Sequence, residues 1–172
     1  MVELLDIYDD AGHRIGLATR RECHGNPALL HRTAHVVVIN CAGDRLLLQK
    51  RSAAKDIQPG KWDTAVGGHL DAGEDYETAA RRELAEELGI TDPGELIHLF
   101  DTRIRNDIES EDVRVFLARL DGPFVFAPEE IDEVRFFSPG ELACPDNLAD
   151  FTPCLIAEIA RLREAGVIPL AD

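Results

Sequence analysis

Residues 68–90, with the sequence GHLDAGEDYETAARRELAEELGI, constrain the fold of this chain more than any other segment. A loop rich in glycine and acidic residues leads into a run of good helix formers, so we predict a helix over about residues 76–88. An apolar stripe at helical spacing runs along it and is formed by Ala80, Leu84 and Leu88. The predicted helix must therefore bury one face against the rest of the chain.

Three glutamates lie next to that apolar stripe and share one turn of the predicted helix. Glu83, Glu86 and Glu87 occupy positions i, i+3 and i+4, so their carboxylates project from one face. Like charges at this spacing destabilise a helix by about a few tenths of a kcal/mol per pair unless a cation lies among them. Mg²⁺ meets that need, because it binds a few carboxylates and keeps waters and substrate phosphates as its other ligands. A solvated acidic face without a metal is the alternative that the spacing alone leaves open.

The charge balance limits the ligands that the chain can bind. Its 33 acidic and 18 basic residues give a formal net charge of −15. Such a chain repels the nucleic-acid backbone, so we expect no nucleic-acid partner, and a small anionic substrate would need cations recruited locally. The apolar runs are far shorter than the roughly 20 residues of a membrane span, and the N-terminus lacks the features of a secretion signal. We therefore expect a cytoplasmic protein that does not associate with a membrane.

The rest of the chain consists of short periodic segments between tight turns, without a repeat or a linker. We expect one domain over residues 1–172, large enough to bury its own core. Two hairpins are predicted, one within residues 1–20 and one formed by AHVVVIN and RLLLQKR around the turn CAGD. Further strands are predicted at 96–105, 113–120, 124–127 and 132–137. A second helix is predicted over about 153–165, so the expected fold class is α/β with a mixed sheet covered by helices.

The segment 68–90 resembles the Nudix box at every specified position, from Gly68 and Glu74 through Arg82 and the glutamates to Gly89. The resemblance implies the Nudix fold, an α/β/α sandwich with a mixed β-sheet and a catalytic loop-helix-loop. It also implies an enzyme that uses a divalent metal, Mg²⁺ with Mn²⁺ as a substitute, to cleave a diphosphate linkage. The small-molecule substrate would be a nucleoside di- or triphosphate or another metabolite that contains a diphosphate.

The same resemblance implies roles for individual residues. Arg82 and Glu74 would brace the loop against the helix. The implied metal ligands are Glu83, Glu86 and Glu87, with Gly68 and Glu111 as further candidates. One of the three helix glutamates would also help to deprotonate the attacking water, while the metal neutralises charge on the phosphate oxygens. The implied catalytic set is therefore Glu83, Glu86, Glu87, Arg82 and Glu74.

Segments outside the box resemble one branch of the Nudix superfamily. CHGNPALLHR, LLLQKRSAAKDIQPGKWD and GGHLDAGE together look like the type 1 isopentenyl-diphosphate isomerases and their hydrolase relatives. Those isomerases carry a catalytic cysteine just before the Gly-His pair, whereas this chain has Gly67 there. Because glycine offers neither the acid nor the base that isomerisation needs, a hydrolase is favoured over an isomerase. A module that senses a nucleotide without turnover is the third hypothesis, and the intact glutamate set argues against it.

Basic residues near the box form a predicted clamp for the diphosphate. Arg51 and Lys55, together with Arg20, match positions that contact a diphosphate in the isomerases. Arginine directs two donors at phosphate oxygens, and lysine supplies a point charge. The alternative is a solvated basic loop.

The isomerase resemblance also implies a second metal site. The matching residues are His24, His31, His69, Glu109 and Glu111. Imidazole together with carboxylate suits Mn²⁺, Fe²⁺ or Zn²⁺ better than Mg²⁺. The alternative is that these histidines make ordinary hydrogen bonds and that Glu111 alone joins the Mg²⁺ cluster as a ligand or base.

The sequence leaves the non-phosphate part of the substrate, the number of metal ions and the oligomeric state open. The N-terminal hairpin could pair with a second chain through an exposed edge strand, or it could simply cover its own sheet.

Overall fold

A computed structural model describes residues 2–55 and 57–168, so parts of the predicted domain 1–172, namely Met1, Asp56 and 169–172, lie outside the described residues. The strands are β1 (Leu4–Tyr8), β2 (Arg14–Thr19), β3 (Leu30–Ile39), β4 (Leu46–Arg51), β5 (Trp62–Thr64), β6 (Val66–His69), β7 (Ile97–Arg105), β8 (Ser110–Arg119) and β9 (Ile131–Phe137). The helices are α1 (Arg20–Cys23), α2 (Tyr76–Leu88), α3 (Pro139–Ala143), α4 (Pro145–Leu148) and α5 (Pro153–Glu164). None of the helices in the described residues is long and apolar enough to span a membrane.

Strand β3 is the centre of a mixed sheet because it pairs with four other strands. It runs antiparallel to β1, β4 and β6 and parallel to β8. Strand β7 extends the sheet beyond β8, while β4 also pairs antiparallel with β5 and β9. The register places Thr33 opposite His69 and His31 beside Glu111. Residues that are distant in sequence therefore meet on one part of the sheet.

Helices cover both sides of this sheet. Helix α2 buries its apolar stripe in a core that includes Val36 and Val38 of β3. Helix α5 packs into a second core that includes Val37 and Ile39 of the same strand. Because successive side chains of a strand point to opposite faces, the two helices lie on opposite sides of the sheet. The predicted fold class, an α/β/α sandwich with a mixed sheet, is confirmed.

Helix α2 occupies the residues predicted for it. Asp75 caps its first turn by accepting hydrogen bonds from the N–H groups of Glu77 and Thr78, both at 3.0 Å. Gly89 ends it with φ 69°, a left-handed conformation that favours glycine. Residues of the box itself therefore define both ends of the helix that carries the glutamates.

The strand predicted at 124–127 is wrong, because this segment has no regular strand structure. It lies between Pro123 and Pro128, which lack the N–H group that a sheet ladder needs. The N–H of Val125 donates instead to the carbonyl oxygen of Leu88 at 2.9 Å. The segment is thus attached to the end of α2, and its two phenylalanines pack against the α2 core.

Two short strands that carry site residues were not expected from the sequence. Strand β5 has three residues, and β6 reads VGGH. Glycine is depleted in strands, so the local pattern gives no signal for β6. Its pairing with the long central strand β3 is what makes it a strand.

The N-terminal hairpin forms one edge of the sheet. Strands β1 and β2 pair antiparallel, and Leu5 and Ile7 of β1 are buried in a small core of their own. Among the described residues β2 pairs with β1 alone, and Ile15 and Leu17 on it are exposed. Pairing of this edge with a second chain stays a prediction.

Candidate active site

Arg82 connects the loop of the box to helix α2. Its Nε and Nη2 atoms donate to the two carboxylate oxygens of Glu74 at 3.1 and 2.8 Å, which makes a bidentate pair. Nη2 also donates to the carbonyl oxygen of His69 at 2.9 Å. Nη1 donates to Glu83 at 2.6 Å and to Glu86 at 3.3 Å. One guanidinium group therefore joins the loop, the end of β6 and two of the three glutamates.

Glu83 and Gly68 are in close contact. A Cβ atom on Gly68 would overlap the carboxylate of Glu83, so only glycine leaves room for that carboxylate. Burial raises the pKa of Glu83, although the hydrogen bond and charge of Arg82 oppose the rise. The contact places a main-chain segment and a carboxylate side by side, and both offer oxygen atoms.

Glu87 points toward β4 and β6. Its Oε2 accepts hydrogen bonds from the side-chain amide of Gln49 at 3.1 Å and from the N–H of Gly67 at 3.4 Å. Burial raises its pKa to about 7, and the nearby charge of Glu83 adds to the rise. In the metal-free protein this carboxyl group therefore gains and loses a proton near neutral pH.

The predicted clamp residues Arg20, Arg51 and Lys55 line the same cavity as the three glutamates. Each of them already contacts a protein group. The contacts are from Arg51 to Asp63 and the Ile57 carbonyl, from Lys55 to Glu130, and from Arg20 to Glu3. An anion that enters this cavity therefore competes with carboxylates for the cations.

A second cluster lies beside the first and consists of His24, His31, His69 and Glu111. One ligand atom from each residue lies within 4.8 Å of all the others, a spacing that one metal ion could bridge. Its members come from four places in the chain. His24 follows α1, and the other three lie on β3, β6 and β8.

His31 is fully buried in this cluster and its ring is oriented. Its Nδ1–H donates to the carbonyl oxygen of Leu29 at 3.0 Å. Its Nε2 lies 3.3 Å from an oxygen of Glu111 but has no hydrogen-bond partner among the described residues. Because Nδ1 bonds to the Leu29 carbonyl, Nε2 is the nitrogen that faces the cluster and would be the one to bind a metal.

His24 and Glu109 complete the neighbourhood of this cluster. The Nε2 atoms of His24 and His69 are 3.1 Å apart. Burial and the nearby charge of His69 lower the pKa of His24 to about 4, so its ring stays neutral. Glu109 comes just before β8, and its Oε2 lies 3.8 Å from His24 Nε2. Glu109 therefore lies at the edge of the cluster rather than within it.

Two residues that contact the clusters were not found by sequence reasoning. Glu3 lies 3.3 Å from His69 Nδ1 and 3.6 Å from Arg20. It belongs to no motif, so nothing in the sequence marks it. Gln49, which supports Glu87, is buried on β4 but follows the apolar residues 46–48 and precedes Lys50 and Arg51, so the sequence pattern does not mark it either.

Comparison with known proteins identifies the family. A model described as the NUDIX domain matches residues 29–158. The chain belongs to the Nudix family. An uncharacterized Nudix hydrolase of Yersinia pestis is 36% identical over 157 residues, covering 89% of this chain and 81% of the relative. An isopentenyl-diphosphate Delta-isomerase of Nocardia farcinica is 32% identical over 168 residues, covering 94% and 95%.

Solved structures share the fold. DR0079 from Deinococcus radiodurans matches with a TM-score of 0.74 and 27% identity, covering 92% of this chain and 98% of that one. A MutT Nudix hydrolase from Burkholderia pseudomallei matches in fold with a TM-score of 0.64 and 23% identity, covering 77% and 98%. The predicted family and the prediction of an enzyme of the Nudix pyrophosphohydrolase class are confirmed. Isomerases are also among the relatives, so the substrate has to be argued from the site.

Nudix hydrolases generally use divalent metal ions, and the two clusters of this Nudix domain differ in the ion that they fit. The carboxylates of Glu83, Glu86 and Glu87 offer only oxygen, which suits Mg²⁺. The histidine cluster offers mainly nitrogen, including the buried Nε2 of His31, which makes no hydrogen bond to the described residues. Nitrogen-rich sites suit transition metals.

Proposed function

We propose that this protein hydrolyses a diphosphate linkage in a nucleoside di- or triphosphate or a related nucleoside-diphosphate metabolite, with Mg²⁺ as its cofactor. The observation that carries this proposal is that the three glutamates of α2 and three cationic side chains line one cavity. The carboxylates suit a hard metal ion and the cations suit phosphate oxygens. The cavity thus complements both halves of a metal–diphosphate ligand.

Residues of the Nudix box bind the metal and help to activate water in this proposal. Glu83, Glu86 and Glu87 hold Mg²⁺, or Mn²⁺ in its place, together with the main-chain oxygen of Gly68. When bound there, the ion would supply neutralisation of the charge on the phosphate oxygens and activation of water. One of the three glutamates also helps to deprotonate the attacking water.

Other side chains position the reacting groups. The Arg82–Glu74 pair keeps the loop against α2, so that the carboxylates do not turn away from the cavity. Arg51 and Lys55, with Arg20, bind the phosphate oxygens by exchanging a carboxylate partner for the substrate. Since the carboxylate and the substrate phosphate are both anions, each cation keeps an anionic partner after the exchange.

The test is to measure product release from a panel of nucleoside di- and triphosphates, sugar nucleotides and isopentenyl diphosphate, with Mg²⁺ and with a chelator. We expect at least one nucleotide substrate to be cleaved in Mg²⁺ and none in chelator. Conversion of isopentenyl diphosphate to its allylic isomer without cleavage would favour an isomerase. Binding of nucleotides without turnover at any Mg²⁺ concentration would favour a sensing module.

A second metal ion is favoured by a separate observation, the buried Nε2 of His31, which faces the cluster and makes no hydrogen bond to the described residues. We propose that His24, His31, His69 and Glu111 hold a tightly bound Mn²⁺, Fe²⁺ or Zn²⁺, with Glu109 at the edge of the site. The competing assignment gives Glu111 to the Mg²⁺ cluster. Glu111 contacts His31 and His69 at 3.3 and 3.4 Å, which favours its place among the histidines.

A further inference from the structure

A cavity of about 240 Å³ adjoins both clusters and lies over one face of the sheet. Gly68 and His69 line it and also line the cavity of the glutamates, so the two cavities adjoin at these residues. The sheet residues Thr33, His35, Thr64 and Gly67 form its floor. Its walls include the apolar residues Ile57, Ile104, Ile108 and Pro153 as well as charged side chains such as Arg51 and Glu109. A volume below the several hundred Å³ of a drug-sized site suits a single ring system.

The floor of this cavity contains a polar atom without a partner. The Oγ1 of Thr33 is buried and makes no hydrogen bond to any of the described residues. A buried hydroxyl group without a hydrogen-bond partner is energetically unfavourable, so a ligand that bonds to it recovers free energy. Thr33 lies two residues from both His31 and His35 on β3, which puts all three side chains on one face. This row runs from the histidine cluster into the cavity.

His35 supplies a second polar group to the floor. Its Nδ1 bonds to Oε2 of Glu158 on α5 at 2.8 Å, while Nε2 has no hydrogen-bond partner among residues 2–55 and 57–168. Burial opposes the charged ring, but the hydrogen bond and charge of Glu158 raise the pKa of His35 to about 9. The ring therefore carries a proton on each nitrogen at neutral pH.

Gly67 keeps the Nε2 edge of His35 accessible. Gly67 does not have a positive φ, so its backbone conformation would tolerate a side chain. A Cβ atom there would lie 3.2 Å from His35 Cδ2, 3.3 Å from His35 Nε2 and 3.6 Å from Thr64 Cγ2. Any larger side chain would cover the imidazole edge. Space above His35 is thus what glycine provides at this position.

We propose that this cavity binds the group attached to the diphosphate, and that it selects a flat heterocyclic ring with a carbonyl oxygen, as in a nucleobase. His35 Nε2–H donates to that oxygen, Thr33 bonds to another polar atom of the ring, and the apolar walls contact its faces. Glu158 is a positioning residue that holds His35. A hydrocarbon chain in the same place would leave both polar groups unpaired, which is a strong basis for rejection. The inference rests on the proposed function, which places the phosphates in the adjoining cavity.

The test uses equilibrium binding of methylene-bridged diphosphate analogues in Mg²⁺, so that no turnover is required. The three probes carry a nucleoside, a ribose without a base, or an octyl chain. We expect wild-type protein to bind the nucleoside probe about tenfold more tightly than either other probe, as one or two hydrogen bonds allow. Gly67→Ala should remove most of this preference. Gly16→Ala is the matched control, because Gly16 is also a strand glycine without a positive φ and has open space at its Cβ position.

His35→Gln provides a second variant, which keeps a polar side chain near Glu158 but changes the donor that reaches the ring. Equal binding of the nucleoside and ribose probes to wild-type protein would overturn the inference. A nucleoside preference that survives in both Gly67→Ala and His35→Gln would overturn it as well. Failure of the wild-type protein to cleave any nucleotide would count against the proposed function alone, because the binding ratio is measured independently.

Discussion

The glutamate cluster and the histidine cluster meet at Gly68 and His69, yet they are assembled in opposite ways. The glutamates come from one helical turn, on which Glu86 is 61% exposed and Glu83 only 13%. The histidines come from a loop and separate strands, and His24 and His31 are 22% and 0% exposed. The clusters therefore differ mainly in their ligand atoms, because oxygen ligands leave Mg²⁺ with several exchangeable waters whereas nitrogen-rich sites hold transition metals more tightly. The difference predicts a loosely bound Mg²⁺ and a tightly bound transition metal side by side.

The largest expected effect is on the glutamate cluster. We expect Glu83→Gln and Glu87→Gln each to lower kcat in limiting Mg²⁺ by at least about 100-fold, because each removes a charge where phosphate charge must be offset. Circular dichroism should show an unchanged fold. Glu77→Gln is the control, since Glu77 lies in the first turn of the same helix and pairs with Arg81 on the surface. Wild-type rates in either of the first two variants would show that the metal is placed wrongly.

Metal content tests the histidine cluster directly. Protein purified without chelator should contain close to one transition-metal ion per chain. His31→Ala and His69→Ala should each lose nearly all of it, because either change removes a nitrogen ligand. The control is His98→Ala, whose ring lies on β7 and pairs with Asp101 on the surface.

The metal measurement also has an outcome that breaks the comparison. Wild-type protein that contains only Mg²⁺, lost in Glu83→Gln and Glu87→Gln but retained in the histidine variants, would leave a single metal cluster. Glu111 would then belong to that cluster, and the histidines would make ordinary hydrogen bonds.

The same contrast explains how much of this protein could be predicted from sequence. The glutamate cluster depends on helical spacing, so the sequence alone was enough to place positions 83, 86 and 87 on one face. The proximity of His31, His69 and Glu111 depends on the register of β3 with β6 and β8, and the unexpected strand β6 has no local signal. Family resemblance, not spacing, indicated that set. Glu3 and the row from Thr33 to His35 were missed because only tertiary pairing brings them to the site.

A smaller effect should follow from the clamp. We expect Arg51→Ala and Lys55→Ala to raise KM for diphosphate substrates by about tenfold and to lower kcat less, since both bind charge that the ground state already carries. The increase should be similar for different nucleobases. Lys50→Ala on β4 is the control, because Lys50 does not line the glutamate cavity. A KM change confined to one nucleobase would show that the loop contacts the base. It would argue against binding of the phosphates and the base in separate cavities.

The smallest effect concerns the stability of the metal-free protein and follows from Glu87. Its pKa is raised from 4.5 to about 7, so the folded state holds this proton more tightly than the unfolded state does. The stability that this provides is complete below about pH 4.5 and is lost as the pH rises through about 7. Glu87→Gln removes the ionisation, and after the loss of a charged hydrogen bond is subtracted we expect a gain on the order of 1 kcal/mol in the free energy of unfolding at pH 8.

Urea unfolding at pH 5 and pH 8 in chelator measures this change, and the control Glu77→Gln should leave the stability unchanged at both pH values. Saturating Mg²⁺ should reverse the sign, because only the wild-type carboxylate contributes a charge to metal binding. A variant that is equally destabilised at both pH values, with and without Mg²⁺, would show that Glu87 serves the fold and not the metal.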